Sequence, residues 1–159
     1  MRLRASTRGV TLSMVLLLIS ATGFAESVED ELMSLTKKLL TRIYVEPSSD
    51  FYKEHVAEDV TCYEGLPTRL DGIEYHLKAL DALAESTEHP GKRHIELLNP
   101  KIQVYGDVGV VTATVQFATF QNQGVETRLL NETRVWAKVD GAWKLVHFHK
   151  SPVEWPPPE

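Results

Sequence analysis

The hydrophobic pattern changes from a helical to a strand period after Pro90 and Gly91, and this change limits the fold more than any other feature of the chain. Downstream, four long runs of β-branched or alternating residues are separated by three short turn sequences. The runs are Arg93 to Tyr105, Val108 to Phe120, Val125 to Val139 and Ala142 to Ser151. Because turns this short make neighbouring strands antiparallel, the second half of the chain predicts a four-stranded meander.

The first half of the chain predicts three helices. Ser27 to Asp30 has the pattern of a capping box, an apolar stripe at spacings of three and four follows it, and Pro47 ends that helix. A short second helix runs to about Ala57, and 60–64 (VTCYE) predicts a short strand. Residues 71–74 (DGIE) then begin a third helix. We therefore expect an α+β fold, with three N-terminal helices packed on one face of a curved antiparallel four-stranded sheet.

The first 25 residues have the pattern of a secretory signal peptide. Arg2, Arg4 and Arg8 precede an apolar run, MVLLLI, and small residues end at Ala25, where we expect cleavage. The apolar run is too short to act as a membrane anchor. We therefore predict an exported protein, periplasmic or secreted. The single cysteine, Cys62, allows no internal disulfide, which suits a bacterial periplasm better than a disulfide-stapled extracellular module.

The remaining chain predicts one domain, residues 26–151, followed by a proline-rich tail, residues 152–159. The leader carries three arginines and no acid, so the formal net charge of −5 for the whole chain becomes −8 after cleavage. A chain this acidic has no electrostatic basis for binding nucleic acid or anionic lipid. The sequence predicts no bound cofactor.

The turn Asp140-Gly141 fixes the register of the last hairpin, because a two-residue turn leaves one pairing. If Val139 faces Ala142, then Arg134 faces His147. By the same count Glu132 faces His149, so these four ionisable side chains share one face of the sheet beside Trp136 and Trp143.

Four interpretations of this cluster stay open. The first is a polar patch whose members satisfy one another. The second is a ligand pocket in which Arg134 holds a carboxylate through its planar fork. The third is a metal site made by His147, His149 and Glu132, although it lacks a fourth ligand at convincing spacing. The fourth is acid–base catalysis by a histidine with a carboxylate partner. For Cys62 we expect a buried apolar role rather than a nucleophilic one.

The same hairpin resembles a known family. Residues 132–136 (ETRVW), 140–143 (DGAW) and 146–149 (VHFH) are similar to the end of the association (hub) domain of calcium/calmodulin-dependent protein kinase II. The upstream segments LNP (98–100), DGIEYH (71–76) and TCYE (61–64) are similar to that family's landmarks as well. The resemblance covers nearly all of residues 28 to 151. The kinase's glycine-rich phosphate loop and its HRD-type stretch are not found in the chain.

The resemblance implies the cone-shaped fold of the nuclear transport factor 2-like superfamily, assembly of dimers into large rings, and a deep pocket for small carboxylates. Residue by residue, it assigns pocket roles to His76, Arg134 and Lys150. Gln116 stands where the family has a further pocket arginine, and the family's pocket-rim tryptophan would fall at about Ala84. One fewer cation implies a weaker attraction for a carboxylate.

The first functional hypothesis is therefore a non-catalytic, exported domain that self-associates as a homodimer or larger ring and binds a small anionic or polar ligand. Arg134 is the expected anion anchor, with His76 and Lys150 as supporting donors. Glu132 is expected to orient Arg134 or His149. Tyr63 and Glu64 are expected contacts at the pocket mouth.

The alternative is an isomerase or dehydratase of the same superfamily, with Glu64 or His76 as the base and Tyr63 as the donor. A third reading is an oligomerisation module without a working pocket. A catalytic base must be a buried carboxylate or imidazole without a charged partner, whereas each charged group of a binding or structural site should be paired with an opposite charge.

Overall fold

The computed structural model of the chain describes residues 26–64, 68–85, 92–121 and 124–154. The helices in these ranges are α1 (Val28–Tyr44), α2 (Ser49–His55) and α3 (Glu74–Glu85). The strands are β1 (Val56–Glu64), β2 (Leu70–Asp71), β3 (Lys92–Tyr105), β4 (Val108–Gln121), β5 (Gly124–Val139) and β6 (Ala142–Pro152). They form one sheet in the order β2-β1-β6-β5-β4-β3. The predicted leader, 1–25, and the tail beyond residue 154 lie outside the described residues.

The α+β class and the predicted meander are confirmed, since β3 to β6 begin and end within one residue of the predicted runs. The predicted strand number is too low. The VTCYE strand begins earlier, at Val56, and β1 pairs in parallel with β6 and antiparallel with the two-residue strand β2. Hydrophobic patterning reveals strands, but it does not reveal a parallel pairing between segments so far apart in sequence.

Helix α1 begins and ends where its sequence signals predict. The Ser27 side chain accepts a hydrogen bond from the Asp30 backbone N–H at 3.1 Å, which satisfies one free donor of the first turn. The buried residues Leu32 and Leu39 hold α1 against β3 and β4. Gly109 on β4 allows this close approach, because a Cβ there would lie 2.3 Å from Leu32 Cδ1. No helix in the described ranges has the length and apolar character needed to cross a membrane.

The Asp140-Gly141 hairpin starts in the predicted register. Both turn residues have positive φ, 51° and 83°, as a type I′ turn requires. The first cross-strand pairs are also those predicted: Val139 with Ala142, Lys138 with Trp143, Ala137 with Lys144, and Trp136 with Leu145.

Beyond Leu145 the predicted register is wrong, because β6 contains a β-bulge. Val146 is an extra residue with no cross-strand partner, so every later side chain of β6 changes face. The observed pairs are Val135 with His147, Arg134 with Phe148, Thr133 with His149, and Glu132 with Lys150. The prediction that the two histidines face Arg134 and Glu132 therefore fails, and a phenyl ring and a lysine take their places.

Candidate functional site

The face of the sheet that packs against the helices, called here the inner face, carries two rows of neighbouring side chains. The first row is Cys62, Phe148, Arg134 and Val111, and the second is Glu64, Lys150, Glu132 and Ala113. Each row crosses β1, β6, β5 and β4 in that order. The second row alternates acid, base and acid, and Arg134 adds a fourth charge beside it. The site is thus a buried cluster with two charges of each sign.

Arg134 and Glu132 form a buried ion pair. Their side chains are 2% and 3% exposed, and Arg134 Nε and Nη2 both donate to Glu132 Oε2, at 3.0 and 2.6 Å. Burial lowers the pKa of Arg134, but the Glu132 carboxylate and nearby tyrosines raise it overall, so the guanidinium stays charged. Among the described residues, Arg134 Nη1 and Glu132 Oε1 have no hydrogen-bond partner. Arg134 therefore keeps one nitrogen that is not engaged by Glu132, although Glu132 already balances its charge.

Lys150 is held in a similar way. Its ammonium forms an ion pair with Glu64 and donates to the Tyr44 hydroxyl at 2.7 Å. It also lies 5.4 Å from the ring centres of Tyr44 and Phe148. Burial lowers the pKa of Lys150, but Tyr44 and Glu64 raise it overall, so this cation is retained as well. The two cations of the cluster are each neutralised by a neighbouring carboxylate.

His76 on α3 meets Cys62 on β1 at the end of the cluster. Cys62 Sγ lies 3.5 Å from His76 Nε2. Burial raises the pKa of the Cys62 thiol to about 11 and lowers the pKa of His76. At neutral pH these shifts favour a protonated thiol and a neutral imidazole, a state that is not nucleophilic. Cys62 is buried, as predicted, although its sulfur faces an imidazole rather than a purely apolar wall.

His147, His149 and Tyr63 lie on the opposite, outer face of the sheet. Thr61 Oγ1 and His147 Nδ1 are hydrogen-bonded at 2.7 Å, and the Tyr63 ring centre lies 6.4 and 6.0 Å from the two imidazoles. The three ligands of the metal-site interpretation are therefore not brought together, because Glu132 points inward. Tyr63 is not at the pocket mouth either, since it lies across the sheet from Arg134.

Gln116 also lies on the outer face. It pairs with Leu129 on β5 and Glu96 on β3, whereas the inward positions of β4 are Val115 and Phe117. Of the predicted site residues, the structure brings together His76, Glu64, Lys150, Glu132 and Arg134 on the inner face. It separates Gln116, Tyr63, His147 and His149 from them.

A cavity of about 480 Å³ opens next to this cluster. Its wall includes the apolar side chains of Tyr44, Leu83, Phe117 and Leu130, together with the charged residues Arg93, Arg128 and Glu126. The Tyr44 and Phe117 rings pack edge to face, with centres 4.6 Å apart. Tyr44 thus lines the cavity, and its hydroxyl accepts a hydrogen bond from Lys150.

The two cavity arginines were missed by the sequence analysis. Arg93 Nη1 donates to the Tyr44 carbonyl at 3.1 Å, and Arg128 Nε donates to Glu126 at 2.8 Å. Both belong to inner-face positions, since Arg128 pairs with Phe117 and Arg93 with Thr119. Strand alternation could have found Arg128, because it is an even number of residues from Arg134 on β5, whereas a register shift in β3 between Leu98 and Lys101 hides the face of Arg93 from such counting.

The arrangement of three helices on one face of this sheet is a fold shared with solved nuclear transport factor 2-like proteins. One from Cytophaga hutchinsonii superposes with a TM-score of 0.65 at 16% identity, covering 80% of this chain and 99% of that protein. Residues 28–154 match the family described as the calcium/calmodulin dependent protein kinase II association domain. The chain belongs to this family, and the predicted resemblance is confirmed.

Individual relatives agree with this assignment. A calcium/calmodulin-dependent protein kinase type II of Caenorhabditis elegans is 30% identical over 138 residues, which are 83% of this chain and 18% of the kinase. The chain thus spans about a fifth of the length of that kinase. The hub of the S. rosetta kinase II superposes with a TM-score of 0.68 at 28% identity, covering 80% of this chain and 98% of the hub.

The fold is shared more widely than the family. A provisional ketosteroid isomerase from Parabacteroides distasonis superposes with a TM-score of 0.65 at 20% identity, covering 84% of this chain and 94% of that protein. An identity this low establishes the common fold alone.

Proposed function

We propose that this chain is an exported, non-catalytic, self-associating domain that binds a small amphipathic anion in the cavity beside its inner face. The observation that carries the self-association is the apolar character of the outer face of the sheet. Large apolar residues exposed by 39% to 63% stand on that face in every strand but β2 and β6: Tyr63, Tyr105, Val108, Phe120, Val125 and Val139.

The outer face suits a second copy of the chain. Phe120 pairs directly with Val125, and Tyr105 pairs directly with Val108, so the exposed groups form neighbouring pairs rather than isolated side chains. No helix covers this face in the described residues, since the buried core lies on the inner face. The two pairs lie at opposite ends of β4, and exposed apolar groups distributed over one face of a sheet suit a broad protein–protein contact. Membership in an association-domain family favours the same occupant.

Charged substitutions on the outer face should separate the subunits. We expect Val108→Glu combined with Phe120→Glu to raise the dissociation constant at least about 100-fold, because two carboxylates lose their hydration in the interface. Light scattering across a concentration series measures the effect. Leu83→Glu combined with Tyr75→Glu is the matched control, since it adds the same number of carboxylates at exposed apolar positions, 42% and 54%, that lie on α3. Equal masses for the outer-face variant and the control would contradict this interface.

The cavity favours an anion that also carries an apolar group. Arg93 and Arg128 contribute two positive charges and Glu126 one negative charge, so its charged lining has a net charge of +1. Tyr44 and Phe117 supply aromatic surface for an apolar body. A ligand at Arg134 or Lys150 would have to displace a buried carboxylate partner, whereas the Arg128–Glu126 pair is solvent-exposed and Arg93 has no carboxylate partner among the described residues. This difference favours the cavity arginines as the anion anchors.

Small carboxylates should raise the melting temperature of the protein, whereas their neutral amides should not. Phenylacetate and butyrate are the probes, with phenylacetamide and butyramide as paired controls. We expect Arg128→Met to weaken phenylacetate binding about tenfold or more, since a hydrogen bond to a charged group contributes about 1.5 to 3 kcal/mol. Arg69→Met is the control variant, because Arg69 also forms a solvent-exposed ion pair, with Asp71, but lies outside the cavity. Binding that depends on Arg69, or on neither residue, argues against this site.

Export is proposed from the basic and apolar pattern of residues 1–25. If the leader is cleaved after Ala25 during export, the intact mass of the protein recovered from the producing cell should be that of a chain beginning at Glu26. A recovered mass that includes the leader would oppose it.

The cluster favours binding over the enzymatic alternative. A general base needs an unpaired carboxylate or imidazole in an apolar site. Glu64 is instead tied to Lys150, and Glu132 to Arg134. Tyr63, the expected donor of that mechanism, lies on the outer face.

A further inference from the structure

Cys62, Glu64 and His76 bring three metal-ligating groups together at one end of the inner-face cluster. One ligand atom from each residue, a thiol sulfur, a carboxylate oxygen and an imidazole nitrogen, lies within 4.8 Å of the other two. Cys62 and Glu64 are two residues apart on β1, so their side chains point to the same side. His76 reaches them from the first turn of α3. The proposed function uses none of the three as an anion anchor.

We propose that Cys62, Glu64 and His76 form a binding site for a borderline or soft divalent cation such as Zn²⁺. The donor set is one that Zn²⁺ accepts, and three protein ligands with a fourth position open to water is a common arrangement. Sulfur and imidazole nitrogen also select against Mg²⁺ and Ca²⁺, which prefer oxygen ligands.

The distance between the sulfur and the nitrogen already suits such a site. Bonds of about 2.3 Å to sulfur and 2.0 to 2.1 Å to nitrogen at a tetrahedral angle place the two ligand atoms about 3.5 Å apart. Cys62 Sγ and His76 Nε2 are separated by 3.5 Å. The ring of His76 is fixed by aromatic neighbours, with the ring centres of Tyr52 and Phe148 at 5.6 and 5.4 Å.

A cation can reach the site from the side of Glu64. The side chains of Glu64 and Lys150 are 22% and 13% exposed, whereas Cys62 is fully buried. On binding, the thiol proton of Cys62 leaves to solvent, and one Glu64 oxygen turns from the Lys150 ammonium to the metal. Lys150 keeps its hydrogen bond to the Tyr44 hydroxyl. The thiolate, the carboxylate and Zn²⁺ then sum to zero charge, and the Lys150 ammonium, which has lost its carboxylate partner, leaves the site as a whole with one positive charge more than before binding.

Cobalt substitution tests this site directly, because the chain contains one cysteine. Untagged protein, freed of metal with a chelator, is titrated with Co²⁺ and separately with Zn²⁺ by calorimetry. We expect one equivalent to bind and a thiolate-to-cobalt charge-transfer band to appear in the near ultraviolet. Any such band must come from Cys62.

Three variants complete the test. Cys62→Ser should abolish the band, and Cys62→Ser and His76→Gln should each weaken Zn²⁺ binding more than about 100-fold. The basis is that losing a group that only orients a ligand already costs about 10- to 100-fold. His149→Gln, on the outer face, should bind like wild type. A wild type without the band, Zn²⁺ affinity unchanged in Cys62→Ser, or loss of binding in His149→Gln would each overturn the proposal.

Discussion

Deletion of Val146 is expected to preserve the inner-face cluster and the cooperative unfolding transition. Val146 is the residue of β6 without a cross-strand partner, so its removal leaves a regular ladder in which Val135 still pairs with His147, Arg134 with Phe148 and Glu132 with Lys150. Phe148 and Lys150 therefore keep facing the core. The expected cost is the loss of one half-buried valine and of the local bend in β6, which should not exceed about 1.5 to 3 kcal/mol, the value for a fully buried apolar side chain.

Urea unfolding followed by tryptophan fluorescence measures this effect, since Trp136 and Trp143 are both buried. Val146→Thr is the matched control, because it retains the residue count and a β-branched side chain at a half-buried position. We expect both variants to unfold cooperatively, the control with a midpoint close to wild type and the deletion variant with a lower midpoint. A deletion variant that unfolds without a cooperative transition would contradict the assignment of Val146 as the extra residue.

Glu132→Ala is expected to lower the free energy of unfolding by about 3 to 5 kcal/mol. It leaves the Arg134 guanidinium buried without a carboxylate, and breaking one side of a buried ion pair has a cost of this size. The unfolding free energies should be compared at one protein concentration, because self-association stabilises the folded chain by mass action.

The same strand contains the control. Glu126 and Arg128 repeat the Glu-x-Arg spacing of Glu132 and Arg134 on the same face of β5, but their side chains are 47% and 75% exposed. Glu126→Ala should therefore cost no more than about 1 kcal/mol. The double variant Glu132→Leu with Arg134→Met should be more stable than Glu132→Ala alone, because it leaves no buried charge. If Glu132→Ala and Glu126→Ala lower the free energy of unfolding equally, burial does not determine how much the Glu132–Arg134 ion pair contributes to stability.

Local signals were sufficient to predict most of the fold. The capping residue Ser27, the stop at Pro47 and the turn at Asp140-Gly141 fixed the ends of elements because each acts through neighbouring backbone groups. The parallel pairing of β1 with β6 has no such signal. It depends on contacts between residues such as Cys62 and Phe148, which are distant in sequence.

The bulge at Val146 explains why the site was predicted only in part. Nothing in the sequence VHFH distinguishes a regular strand from one with an extra residue, and one such residue reverses the faces of all that follow. The side chains on β5, Glu132 and Arg134, were correctly placed together because they alternate within a single strand. The histidines of β6 were not, since their placement depended on counting across the bulge.

The central claim is that the chain assembles through the outer face of its sheet, and the molar mass of the untagged wild type in solution tests it most directly. Light scattering at micromolar concentrations is predicted to give an integer multiple of the single-chain mass, with the dimer as the smallest species. The single-chain mass is 17.9 kDa for all 159 residues, and less after removal of the leader. A single-chain mass at every concentration measured would contradict the account.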